Sequence, residues 1–176
     1  MNRRQTLAFG AVAAMAAAAG TGVGLWRQPT TSALLPANFW QLKFSRPDGT
    51  ELAMADLRGQ PLLINFWATW CAPCVRELPA VAAFARDQAA NRGVRVLALA
   101  VDGAAPVRSF LQTQDLQLPV ALAGMEGSDL SRQLGNAQGG LPFTVLLDAG
   151  GRVAQTRLGE TNLAELAQWA KALEPR

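Results

Sequence analysis

The chain has 176 residues, 50% of them apolar, enough for one α/β or α+β domain with a short appendage and too little for two ordinary domains. With no histidine and only two cysteines, Cys71 and Cys74, it has no Ser-His-Asp triad, Cys-His nucleophile pair, HExxH metal helix, four-thiolate zinc site or multi-bridge scaffold. The net charge of +3 resides in Arg3, Arg4 and Arg27, and the 13 basic residues that follow balance 13 acidic ones, so no nucleic-acid partner is expected.

Met1 to Trp26 reads as an address. Two arginines precede an uncharged, Ala- and Gly-rich stretch of nineteen residues from Leu7 to Leu25, the order of an export signal and the bare length of a membrane span. Its five strong insertion promoters, Leu7, Phe9, Val12, Val23 and Leu25, contribute only about −2 kcal/mol, a marginal anchor. Residues 1–27 are therefore expected to be an export signal, with Ala17-Ala18-Ala19 as a cleavage option, or an N-terminal membrane anchor built on residues 7–25. A loose twin-arginine pattern fits as well, and a cytosolic helix is the alternative. Either export route puts the remainder in the periplasm, outside the cytoplasm.

Residues 28–38 form a Pro- and Thr-bearing linker, and residues 39–176 a single domain. Phe39 to Phe44 alternates at strand period, Pro47-Asp48-Gly49 makes a turn, and Glu51 to Met54 returns as a hairpin. Pro61 to Trp67 is a continuous apolar run, the pattern of a buried strand. Cys74 to Asn91 has helical spacing interrupted by Pro79, and Gly93 ends it. Val94 to Val101 is a second buried strand, Pro106 to Gln114 a short helix, and Leu118 to Leu122 a short strand. Ser128 is expected to cap a helix over Asp129 to Leu134, with Gly135 past its end. Phe143 to Asp148 and Arg152 to Leu158 are strands joined by Ala149-Gly150-Gly151, and Thr161 to Leu173 closes the chain as an amphipathic helix. The order β-α-β-α-β-α-β-β-α predicts a layered α/β domain with a mixed central sheet flanked by helices.

The chemistry gathers at Trp70-Cys71-Ala72-Pro73-Cys74. Between a buried strand and a helix, Cys71 falls at the helix N-terminus, where free N–H groups and the positive dipole end stabilise a thiolate. Cys74 lies one turn in, placed to resolve the mixed disulfide that Cys71 forms with a substrate. A static disulfide is the bland alternative, but a two-residue gap closes too small a loop to stabilise much.

The run NFWATWCAPCVRELP, Asn65 to Pro79, resembles the active-site signature of the thioredoxin superfamily and is most similar to TlpA/ResA-type exported or membrane-anchored thiol–disulfide oxidoreductases. Asp48-Gly49 in the leading hairpin and Gly140-Leu141-Pro142-Phe143-Thr144 before a strand ending in Asp148 extend the similarity over nearly everything after residue 38. The resemblance implies a thioredoxin-like fold with an N-terminal β-hairpin extension and a helix/strand insertion before a cis proline. That proline is Pro142, facing the dithiol, with Leu141 contacting a substrate strand. Trp70 becomes a lid over Cys71 and part of the docking face; Trp67 is core. Glu77, where the family often has an acid, is either a proton carrier for Cys74 or an acid favoured by the helix dipole. Asn65 stands where cytosolic thioredoxins carry a proton-accepting Asp, work that an amide cannot do. Pro79 should kink the helix.

The expected activity is dithiol–disulfide exchange on protein disulfides outside the cytoplasm, in the reducing direction, with cytochrome c maturation one destination for it. No cofactor or metal is expected. The partners are a disulfide-containing protein substrate and a membrane thiol electron donor, and the protein itself is expected to be a monomer. A thioredoxin-like peroxidase is the alternative, although Ala68 and not Thr stands three residues before Cys71. A non-enzymatic binding or metal-delivery module is another, since two thiolates could hold Cu(I).

Overall fold

A computed structural model describes residues 35–173 apart from residue 115. The expected signal or anchor at 1–27 and most of the 28–38 linker lie outside the described residues. Among the described residues no helix is long and apolar enough to cross a membrane.

Seven strands form one mixed sheet: β1 (Lys43–Ser45), β2 (Glu51–Ala53), β3 (Leu62–Trp67), β4 (Arg95–Ala100), β5 (Val120–Leu122), β6 (Phe143–Leu147) and β7 (Val153–Leu158). Their spatial order is β2-β1-β5-β4-β3-β6-β7. β3, β4 and β5 run parallel, while β6 lies antiparallel to β3, β7 to β6, and the β1-β2 hairpin extends the far edge antiparallel to β5. Four helices flank the sheet: α1 (Ala72–Asn91), α2 (Ala104–Thr113), α3 (Gly127–Gln133) and α4 (Leu163–Ala172). The alternation expected after the leading hairpin is the one observed.

β3 shows why its sequence reads as an unbroken apolar run. It is an interior strand between β4 and β6 and every residue is buried, so both of its faces meet a core. Leu63 and Trp67 join a cluster with Val81, Phe84 and Leu166 of α1 and α4; Leu62, Ile64 and Phe66 join another with Phe39, Met54, Leu130 and Val145. Each such side chain stabilises the fold by about 1.5–3 kcal/mol. Asn65 lies on the α1 side of this strand, the one polar residue in it.

Some element ends differ from the expected ones, each for a local reason. Phe39–Gln41 is a 3-10 turn, opened by a Phe39 N–H bond to the Pro36 carbonyl, and it drops the Phe39 ring wholly into the core. Met54 likewise starts a 3-10 turn, Met54–Leu57, after β2. α2 begins two residues before Pro106, which then sits in the first turn where its missing N–H is not needed. Ser128 does not cap α3, because turns from residues 123–126 already take the N–H groups of Gly127, Ser128 and Asp129. Gly135 does end that helix at φ +110°, with Asn136 N–H reaching back to the Ser131 carbonyl. α1 runs on through Pro79, and its left-handed end residue is Arg92 and not Gly93.

Candidate active site

The carboxyl end of β3 hands the chain directly to the dithiol. Cys71 is the N-cap of α1, in extended conformation, and its Sγ accepts a bond from Cys74 N–H at 3.3 Å. Pro73 occupies the second helical position, where no N–H is lost to the helix. The two cysteines are joined in a disulfide with Cα atoms 5.3 Å apart. Cys74 is fully buried and Cys71 retains 6% exposure, so Cys71 is the less buried residue of the pair.

Glu77 sits three residues beyond Cys74 on the same side of α1, and only 2% of it is exposed. It is the sixth residue of the helix, and the first turn of α1 has no acid, so the macrodipole does not explain it. Asn65 Nδ2 donates to Glu77 Oε1 at 2.6 Å and also to Thr144 Oγ1 at 3.0 Å. The other carboxylate oxygen, Oε2, accepts from Thr161 N–H at 2.7 Å and from Thr161 Oγ1 at 3.1 Å. One buried acid therefore ties β3, α1, β6 and the approach to α4 together. Burial pushes the Glu77 carboxyl above its ordinary value, the bonds from Thr161 and Asn65 oppose this without cancelling it, and the charge of Glu160 adds to the rise.

A second acid holds the loop that carries Trp70 and Cys71. Asp102, just past the end of β4, accepts through Oδ2 from Thr69 N–H at 2.9 Å and Thr69 Oγ1 at 2.5 Å. Its Oδ1 accepts from Gly103 N–H at 2.6 Å. Burial pushes this carboxyl up as well, but here the bonds from Thr69 and Gly103 outweigh it and hold the group below its ordinary value. Thr69, Asp102, Thr144 and Thr161 were not singled out in the sequence. Position could have flagged Asp102, because functional groups of parallel α/β sheets collect at the carboxyl ends of strands.

The remaining expected residues lie at this same end. Phe143 pairs with Phe66 across β6 and β3, which brings Pro142 level with the close of β3. The Leu141–Pro142 peptide is cis, Pro142 is buried, and its carbonyl accepts from Gly159 N–H at 2.9 Å. Leu141 is partly buried against both core clusters. Trp70 stands 66% exposed, and two further exposed apolar side chains join this end, Leu158 opposite Phe143 and Leu163 at the start of α4. Trp67 is fully buried against Phe110, with ring centroids 5.3 Å apart.

The Redoxin family model matches residues 30–173. The chain is similar to the thiol–disulfide oxidoreductase ResA of Bacillus thuringiensis, 30% identical over 129 residues that cover 73% of this chain and 72% of that protein. Among solved structures it resembles a thioredoxin-family thiol:disulfide interchange protein from Chlorobium tepidum, with TM-score 0.66 and 26% identity over 83% of this chain and 99% of that one. A thioredoxin-related protein from Neisseria meningitidis serogroup B has TM-score 0.65 and 29% identity, covering 75% of this chain and 98% of that one.

Proposed function

The chain belongs to the Redoxin family and is a thiol–disulfide oxidoreductase of thioredoxin-like fold, and from that premise we propose that it reduces protein disulfides outside the cytoplasm. Cys71 is the attacking thiolate. It displaces one sulfur of the substrate disulfide and forms a mixed disulfide; Cys74 then attacks the Cys71 sulfur and expels the substrate's second thiolate. Two electrons pass to the substrate, and the protein is left with the Cys71–Cys74 bridge. A membrane thiol donor restores the dithiol, and apocytochrome cysteines in cytochrome c maturation are one class of substrate this would serve. Residues 1–27 act as export signal or anchor, and the domain works as a monomer.

The observation that carries this reading is the depth difference across the pair. The less buried cysteine sits on a helix N-terminus, and the fully buried one shares a helix face with a buried acid whose carboxyl is raised. A raised carboxyl retains a proton nearer neutral pH and is matched to exchange one with the Cys74 thiol. Trp70, Leu141 and Pro142 form the docking surface, with Leu158 and Leu163 extending its apolar area.

Direction follows from what stabilises the Cys71 thiolate. Ala72 and Pro73 bring no cation between the cysteines, the chain has no histidine, and the Arg76 guanidinium is paired with Glu160. The helix N-terminus is the chief stabiliser, worth up to about 2 kcal/mol, which sets the potential at roughly −200 to −280 mV. Iodoacetamide trapping of the reduced full chain against pH tests the roles. Cys71 should alkylate with a pKa well below about 8.5 and Cys74 should not. Equal rates at both thiols near pH 7 would overturn the assignment, and a glutathione-buffer potential near about −120 mV would make the protein an oxidant.

A further inference from the structure

We propose that a second ligand site, selective for a soluble organic phosphate, lies at the end of the domain opposite the dithiol. A cleft of about 610 Å³ opens there, within the roughly 300–1,000 Å³ that one small ligand fills. Its walls are the last turns of α1, the start of β4 and the leading hairpin. Arg46, Arg86, Arg92 and Arg95 line it, and among the described residues no carboxylate does. Part of the lining is apolar, including the buried Leu52 and Leu97.

Charge sets this cleft apart. Of the ten arginines among the described residues, three are ion-paired: Arg76 with Glu160, Arg132 with Asp129 and Arg157 with Glu165. Four of the other seven converge here. Of the acids near them in sequence, Glu51 pairs with Lys43, while Asp48, which accepts from Thr50 and feels the charge of Arg46, and Asp87, which accepts from Gln88 and Asn91, stay outside the lining. The dipole end of α1 brings only about half a negative charge. Four like charges around one concavity repel one another, and a bound anion relieves that repulsion.

Arg92 supplies an independent mark. It holds φ +52°, in the left-handed region where glycine or asparagine is the ordinary helix-ending residue. Its backbone position disfavours an arginine, so its side chain is what the position uses. Arg95 Nε donates to Gln60 Oε1 at 2.9 Å, which steadies that guanidinium while leaving its terminal nitrogens for a ligand.

Ligand chemistry follows from this lining. Planar guanidinium forks match phosphate oxygens two at a time. The concave shape and partly apolar lining suit a discrete molecule with an organic body and two or more negative charges, where a flat lipid surface would reach only the rim.

Calorimetric titration of the full chain with inorganic pyrophosphate tests this, beside titration with phosphatidylglycerol and phosphatidylcholine vesicles. Saturable one-to-one pyrophosphate binding is expected, weakened at least about tenfold in Arg46→Gln/Arg92→Gly. It should be unchanged in Arg108→Gln/Arg152→Gln, which removes two arginines outside the cleft that make no ion pair among the described residues. Arg92→Gly alone should weaken binding while keeping or raising Tm, so a folding defect cannot account for the loss. Disulfide exchange should not change in any of them, because the helix residues that line the cleft begin at Ala85, about 20 Å along α1 from Cys71. Equal weakening in both double variants, no saturable binding at millimolar pyrophosphate, or binding only to phosphatidylglycerol vesicles would each overturn the proposal.

Discussion

Glu77 and Asp102 are acids of the same end of the molecule, each accepting three hydrogen bonds from protein donors. Their carboxyls nevertheless move in opposite directions, Glu77 up and Asp102 down. Glu77 lies in the layer between β3, α1 and α4, where removal from water outweighs its bonds. Asp102 lies past the end of a strand, where the same number of bonds wins. The count of hydrogen bonds does not decide whether a buried acid keeps its charge; the balance between those bonds and lost hydration does. The first setting favours the protonated acid, and the second favours an anion that holds a loop.

The largest separation of the two should come from kinetics. Glu77→Gln is expected to slow resolution of a Cys71 mixed disulfide by about 100-fold, whereas Asp102→Asn should leave that intramolecular step within about twofold. Stopped-flow decay of a mixed disulfide reads both, and equal slowing in the two variants breaks the distinction. Stability comes next. Glu77→Ala strands the Thr161 N–H in the core, leaves the Asn65 amide only its bond to Thr144, and should cost about 3 kcal/mol in urea unfolding; Asp102→Ala should cost about 2 kcal/mol.

Their pH dependences should run opposite ways. The raised Glu77 carboxyl contributes its full stability below the ordinary value of 4.5 and loses it as pH rises through the folded value. Wild type should therefore fall relative to Glu77→Gln as pH rises from 4.5 to the folded value, and run parallel to it above that. The depressed Asp102 carboxyl contributes above 3.8 and loses its contribution as pH falls through its folded value. Wild type should then fall relative to Asp102→Asn only in acid. Parallel stability curves for all three proteins would remove the contrast. The smallest effect belongs to Thr69→Val, which keeps the backbone bond to Asp102 and loses the hydroxyl one; about 1 kcal/mol is expected.

The dithiol, its strand and its helix were legible because they are local. Cys71 and Cys74 are one helical turn apart, β3 announces itself by a doubly buried apolar run, and Pro73 suits a first turn. The mixed sheet and the order of its elements were legible for the same reason, since periodicity reports each element separately. Boundaries failed where backbone bonds already formed by a preceding turn displaced the expected cap, as at Ser128, or where a ring was drawn into the core, as at Phe39.

Sequence by itself thus determined the redox pair and the fold class, and the family resemblance pointed to Glu77 and Pro142. Tertiary structure alone decided that Glu77 is buried with its charge disfavoured, because Thr161 arrives from 84 residues away to complete its cage. It alone joined Asp102 to Thr69 across 33 residues, and it alone gathered Arg46 with Arg92 and Arg95 around one cleft. The physical reason is range. A helix start or a strand pattern is set by neighbours a few residues away, whereas hydration, charge and hydrogen bonding at a side chain depend on whichever distant segments the packed sheet brings beside it.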